Sequence, residues 1–84
     1  MAKERPHKEI RVGKVKATIW RNEYPGQNGP RVRFNVQFAR LYKENGEAQW
    51  KTTDSFGRDD LPVVAEVANR AWRHIYEASN ATAP

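Results

Sequence analysis

The chain has 84 residues, no cysteine and a formal net charge of +5, which bounds it to one small domain held by packing alone and excludes disulfides, thiolate chemistry and cysteine-based zinc fingers. No apolar run approaches membrane-spanning length, and the first residues carry charge rather than the apolar stretch of a secretory signal, so a soluble cytoplasmic protein is expected. Residues 1–43 hold eleven Lys/Arg against three Glu, whereas residues 44–84 hold four against seven acids, a segregation that favours an anionic partner.

Taken in chain order, residues 1–9 are charged, contain Pro6 and lack periodicity, and read as a flexible basic arm. A single α+β domain is expected over residues 10–77, followed by a flexible tail of small and polar residues at 78–84. The first strand signal runs from about Arg11 to Arg21, with Val15, Ala17 and Ile19 alternating against Lys14, Lys16, Thr18 and Trp20. Residues 24–30, YPGQNGP, carry two glycines and two prolines and make a long hairpin loop. The second strand follows, with Val32, Phe34, Val36 and Phe38 on one parity and Arg31, Arg33, Asn35 and Gln37 on the other. Asn45-Gly46 signals a turn, and a third strand is expected from about Ala48 to Phe56.

Gly57 to Pro62 opens a helix, with an aspartate suited to the N-cap and Pro62 in the first turn, where no backbone N–H is needed. At 3.6 residues per turn, Leu61, Val64, Ala65, Ala68, Ala71, Trp72, Ile75 and Tyr76 share one wide face. The predicted fold is therefore α+β: a three-stranded antiparallel sheet packed on one C-terminal α-helix, with the other sheet face open.

The parities give that open face Lys14, Lys16, Thr18 and Trp20 from the first strand and Arg31, Arg33, Asn35 and Gln37 from the second, with no carboxylate. Cross-strand partners should sum to an odd number, for instance Ile19 with Phe34 and Trp20 with Arg33, the latter a candidate cation–π pair. The third strand has two registers. A two-residue turn puts Trp50, Asp54 and Phe56 on the basic face, whereas a bulged loop at Gly46 puts Trp50, Thr52 and Phe56 in the core and Lys51 outside with Gln49, Thr53 and Ser55. The bulged loop is preferred because it buries two large aromatic rings.

A face of Lys, Arg, Asn and Gln with one aromatic suits nucleic acid. Cations neutralise phosphates, amides and arginines read base edges, and an indole stacks on an unpaired base. The bland reading is that alternating apolar and basic residues simply mark a solvated antiparallel face; the absence of acids weighs against it. Asp54, Asp59 and Asp60 could hold a magnesium ion, but helix capping explains the last two more simply. His7 falls in the arm and His74 near the helix C-terminus, so no metal site is expected from them. Ser55 has no histidine partner and the glycines form no phosphate loop. An enzyme is not expected, nor any cofactor.

The segments KVKATIWRNE and SFGRDDLPVVAEVA resemble a group of small bacterial proteins with an Ala-x-Ile-Trp strand and a Phe-Gly-Arg-Asp-Asp-Leu segment ahead of a terminal helix, over most of residues 10–77. In architecture alone, three strands backed by a C-terminal helix look like the DNA-binding domains of plant ethylene-response factors and the arm-binding domains of tyrosine recombinases, and are similar in outline to Whirly-type single-strand binders. That likeness implies a sheet face laid on nucleic acid and transfers no individual residue. The expectation is a non-enzymatic nucleic-acid-binding protein, DNA ahead of RNA, using Lys14, Lys16, Thr18, Trp20, Arg31, Arg33, Asn35, Gln37 and Lys51, with Lys3, Arg5 and Lys8 adding non-specific affinity. The alternative is a protein-interaction module that binds an acidic partner or forms a homodimer through its helix or sheet edge.

Overall fold

The computed structural model describes residues 6–81, with side chains through residue 78. Its elements follow the order β1 (Lys8–Val12), β2 (Val15–Tyr24), β3 (Arg31–Tyr42), β4 (Lys51–Thr53), a 3-10 turn (Arg58–Asp60) and α1 (Leu61–Ala81). The four strands form one antiparallel sheet in sequential order. The α+β class and the C-terminal helix stand as expected; the sheet has four strands, not three.

The additional strand is β1. Ile10 and Val12 alternate with Glu9 and Arg11, and Val12 pairs with Val15 across the two-residue turn Gly13-Lys14. Gly13 takes φ 59° at the first central position, the placement a type II′ hairpin turn requires. Lys8 and Glu9, read from the sequence as part of a free arm, therefore lie in the sheet, while the arm residues Lys3 and Arg5 fall outside the described residues. The fourth strand also departs from the three-stranded outline of the DNA-binding domains named above.

Cross-strand pairs between β2 and β3 join Ile19 to Val36 and Trp20 to Asn35. The parity is as expected and the register is offset by two residues, so Trp20 does not face Arg33. Instead the Arg33 guanidinium lies 5.7 Å from the centroid of Tyr24.

The β3–β4 connection departs further. Glu47 N–H donates to the Glu44 carbonyl at 3.1 Å, and Gly46 takes φ 81°, so the tight turn forms where Asn45-Gly46 signalled it. The chain then delays until Lys51 before pairing again. Its loop closes on itself: Lys51 sits 3.3 Å from Glu44 and 3.1 Å from Glu47, and the Lys43 ammonium lies 4.9 Å over the Trp50 ring. Trp50 remains 52% exposed rather than entering the core. With Tyr42 opposite Lys51 and Leu41 opposite Thr52, the preferred bulged register fails, and the sidedness is that of the two-residue-turn alternative with its pairing offset by two residues. Thr52 shares the open face with Leu41, whereas Lys51 and Thr53 take the helix-side parity.

The helix packs mainly over β1 and β2 and reaches β3 only at its margin. Its buried residues are Val67 and Ala71, set against Val15, Ala17 and Ile19, with Val63, Val64, Ile75, Phe34, Val36, Phe38 and Phe56 packed around them. Compared with the face read from the sequence, α1 is rotated by about a quarter turn. Leu61, Trp72 and Tyr76 are consequently more than half exposed. Small residues at 67 and 71 let the helix approach a strand carrying Val, Ala and Ile, a separation at which an indole would not fit.

The helix entry is fixed by polar contacts. Asp60 Oδ2 accepts from Gly57 N–H at 2.8 Å and lies 3.4 Å from Arg40 Nε, which also donates to the Ser55 carbonyl at 3.1 Å. Asp60 thus serves the helix start, as the capping explanation holds, and ties it to β3.

Candidate nucleic-acid interface

The sheet face opposite α1 is built by strand parity alone. β1 contributes Glu9 and Arg11; β2 contributes Lys16, Thr18, Trp20, Asn22 and Tyr24; β3 contributes Arg31, Arg33, Asn35, Gln37, Ala39 and Leu41. No other element of the described residues packs on it. Because the β2–β3 hairpin is long, with ten and twelve residues, this face extends past the helix toward the loop at residues 25–30. The result is an elongated molecule of 54 × 33 × 16 Å.

Of the nine expected site residues, Lys16, Thr18, Trp20, Arg31, Arg33, Asn35 and Gln37 share this face. Lys14 does not lie within a strand; it sits in the β1–β2 turn at one end of the face. Lys51 is absent from the face, because the β4 register turns it to the helix side, where two glutamates already pair with it.

Three residues were missed. Asn22 and Tyr24 continue the alternation of β2 beyond Arg21, and the same period-two pattern could have found them. Arg11 opposes Lys16 across the strand gap, and its Nε donates to the Gly13 carbonyl at 3.0 Å.

The face is not free of acids. Glu9 lies on it opposite Thr18 and sits 3.4 Å from Lys16 Nζ. Both side chains are solvent-accessible, so the pair contributes at most about 1 kcal/mol to stability. Its greater effect is local: Glu9 offsets one cation at the β1 end, leaving Arg11 and Lys14 there as the remaining positive groups.

Charge and chemistry are ordered along the face. Arg11, Lys14 and Lys16 occupy one end and Arg31 and Arg33 the other. A shallow basin of about 380 Å³ is lined by Trp20, Asn22, Tyr24, Asn35 and Gln37; its loop half lies alongside Arg33 and Arg31, which face Asn22 and Tyr24 across the strands. It holds two aromatic rings, three amides and no formal charge. Trp20 Nε1 donates to Gln37 Oε1 at 3.0 Å, which ties the indole to the neighbouring strand. That bond uses the Gln37 oxygen and leaves its NH₂ group available as a donor.

Comparison with family models, curated proteins and solved structures returned no match. The chemistry of this face therefore rests on its own geometry. Among the described residues no helix is long and apolar enough to cross a membrane.

Proposed function

We infer that the protein is a small, non-enzymatic, cytoplasmic nucleic-acid-binding module that takes a single strand across its open sheet face, DNA being the first ligand to test. One observation carries the reading: the basin of Trp20, Tyr24, Asn22, Asn35 and Gln37 is flanked on β3 by Arg31 and Arg33, directly opposite Tyr24 and Asn22, and is followed toward the β1–β2 turn by Lys16, Arg11 and Lys14. Phosphates follow positive charge, whereas bases need π-faces and amide donors and acceptors. A strand lying along the hairpin would meet rings and amides with arginines beside them at the loop end, and lysines and Arg11 at the turn end. An indole tethered by its own N–H presents a platform for a splayed base rather than a wedge driven between paired ones, which favours single strands over duplex.

The test is fluorescence anisotropy with a mixed-sequence single strand and its duplex, each at low and moderate salt. Tighter binding of the single strand, weakening as salt rises, supports the reading. Equal and negligible binding of both at low salt would refute it.

A second reading is favoured by a different surface. Trp72 and Tyr76 stack on each other with centroids 5.3 Å apart while 62% and 54% exposed. They lie on the flank of α1 away from His74, about 160° around the helix. Exposed paired aromatics are suited to protein contact, so a homodimer or another protein partner could use the helix while the sheet face stays free. Sedimentation of wild type against Trp72→Ala measures this: a concentration-dependent mass lost in the variant supports the contact, and a monomer at all concentrations removes the homodimer.

A further inference from the structure

His7 and His74 stand 67 positions apart in the chain, yet their Nε2 atoms approach to 3.1 Å. Both ends of this contact are held. The His7 N–H donates to the Ile19 carbonyl at 2.7 Å, and its ring packs edge-on against Phe34 at 5.4 Å. His74 is half-buried on the sheet-facing side of α1. The pair lies on the helix side of the sheet and takes no part in the nucleic-acid face.

A single N–H···N hydrogen bond between neutral imidazoles fits this distance. So does a shared metal ion. At the usual 2.0–2.1 Å per bond and near-tetrahedral angles, two imidazole nitrogens on one zinc ion lie about 3.0–3.4 Å apart. The ring planes are inclined by 50° with centroids 5.2 Å apart, so the rings meet through their Nε2 edges instead of stacking. Among the described residues no third His, Cys, Asp or Glu completes a larger cluster. Water would fill the remaining positions, and imidazole ligands select zinc, nickel or copper over magnesium or calcium.

We propose that His7 and His74 form a two-histidine clip for a divalent transition-metal ion of the zinc, nickel and copper class, fastening the entry to β1 onto α1. A clip of this kind acts on stability, because an ion that binds only the folded chain shifts the folding equilibrium toward it.

The experiment uses the untagged full chain, slightly above neutral pH so that protons do not compete for imidazole. Zinc and nickel are titrated separately, with magnesium as the comparison ion, and thermal midpoints are followed alongside the histidine ring resonances of labelled protein. The expected result is saturable one-to-one binding of zinc, joint shifts of both histidine rings, and a midpoint raised by roughly 5 °C once the ion is a few-fold above its dissociation constant, rising to roughly 10–20 °C at a hundredfold excess. His7→Gln and His74→Gln, each checked for fold by circular dichroism, should bind roughly tenfold more weakly or worse and lose the midpoint rise. Unmoved ring resonances with an unchanged midpoint would overturn the proposal. Binding by both variants as tight as wild type would overturn it equally, by assigning the ion to another surface.

Discussion

Trp20 on β2 and Gln37 on β3 are joined across the strand gap, the indole Nε1 donating to the amide Oε1 at 3.0 Å. Since Trp20 is directly opposite Asn35, the bond to Gln37 is diagonal and draws the ring over the adjacent strand. The bond sets the chemistry of the face: it fixes an aromatic surface beside an amide whose NH₂ group the bond does not use. If that surface stacks on a base, its removal has a defined cost. Trp20→Ala should weaken single-strand binding by about 1–3 kcal/mol, the range for one base-aromatic contact. Trp20→Phe should recover part of the loss, because the stacking surface survives without the tether. Anisotropy with the same oligonucleotide at one salt concentration measures both.

Arg31 and Arg33 stand at the loop end of the face, Arg33 against Tyr24. As phosphate contacts they should act regardless of sequence. The Arg31→Ala, Arg33→Ala double variant is expected to bind all single strands more weakly. The slope of log affinity against log salt should flatten by about 1.4, at roughly 0.7 per neutralised phosphate. An unchanged slope would remove these two residues from the interface.

Glu9 is the carboxylate that the face carries, and its partner is Lys16 at 3.4 Å. Neutralising it in Glu9→Gln should tighten nucleic-acid binding, roughly two- to threefold at low salt, by removing repulsion and releasing the lysine. Screening should erase the gain as salt rises. The opposite sign, weaker binding in the variant, would mean that Glu9 orders Lys16 rather than masking it.

The orientation of α1 yields a contrast between two apolar residues. Ile19 is fully buried and Trp72 is 62% exposed. Ile19→Ala should lower the unfolding free energy by about 2–5 kcal/mol, within the range for a deleted core side chain. Trp72→Ala should cost less, about 1–2 kcal/mol despite removing the larger group, because most of it stays in water on folding. Urea unfolding of the two variants reads the difference as midpoint shifts; a larger loss for Trp72 would mean that the helix is turned the other way.

Much of the open face was legible in the sequence because a strand has a period of two. Once Val15, Ala17 and Ile19 are core, Lys16, Thr18 and Trp20 have one place to go, and the same reasoning holds for Arg33, Asn35 and Gln37 on β3. Register was less accessible, since a shift of two residues preserves every parity while changing every partner. Trp20 accordingly faces Asn35 instead of Arg33. β1 escaped notice because only Ile10 and Val12 mark its inner side and a charged segment precedes it; the two-residue Gly13-Lys14 turn was its clearest signal. The β3–β4 loop is held by Lys51 with Glu44 and Glu47, a cluster that competes with strand extension and that periodicity does not register. On the helix, size misled: Trp72 and Tyr76 drew the apolar face toward themselves, while Val67, less conspicuous, is the fully buried residue. The contact between His7 and His74 depends on tertiary structure and has no local signal.

The measurement that bears most directly on the central claim is an amide-shift titration of isotopically labelled protein with a single-stranded oligonucleotide at low salt, repeated with the duplex. Shifts concentrated at residues 16–24 and 31–37, including the Trp20 indole N–H, stronger with the single strand and attenuated by salt, are the expected result. Shifts confined to α1, or none with either ligand, would contradict the account and return the basic face to the role of a solvated surface.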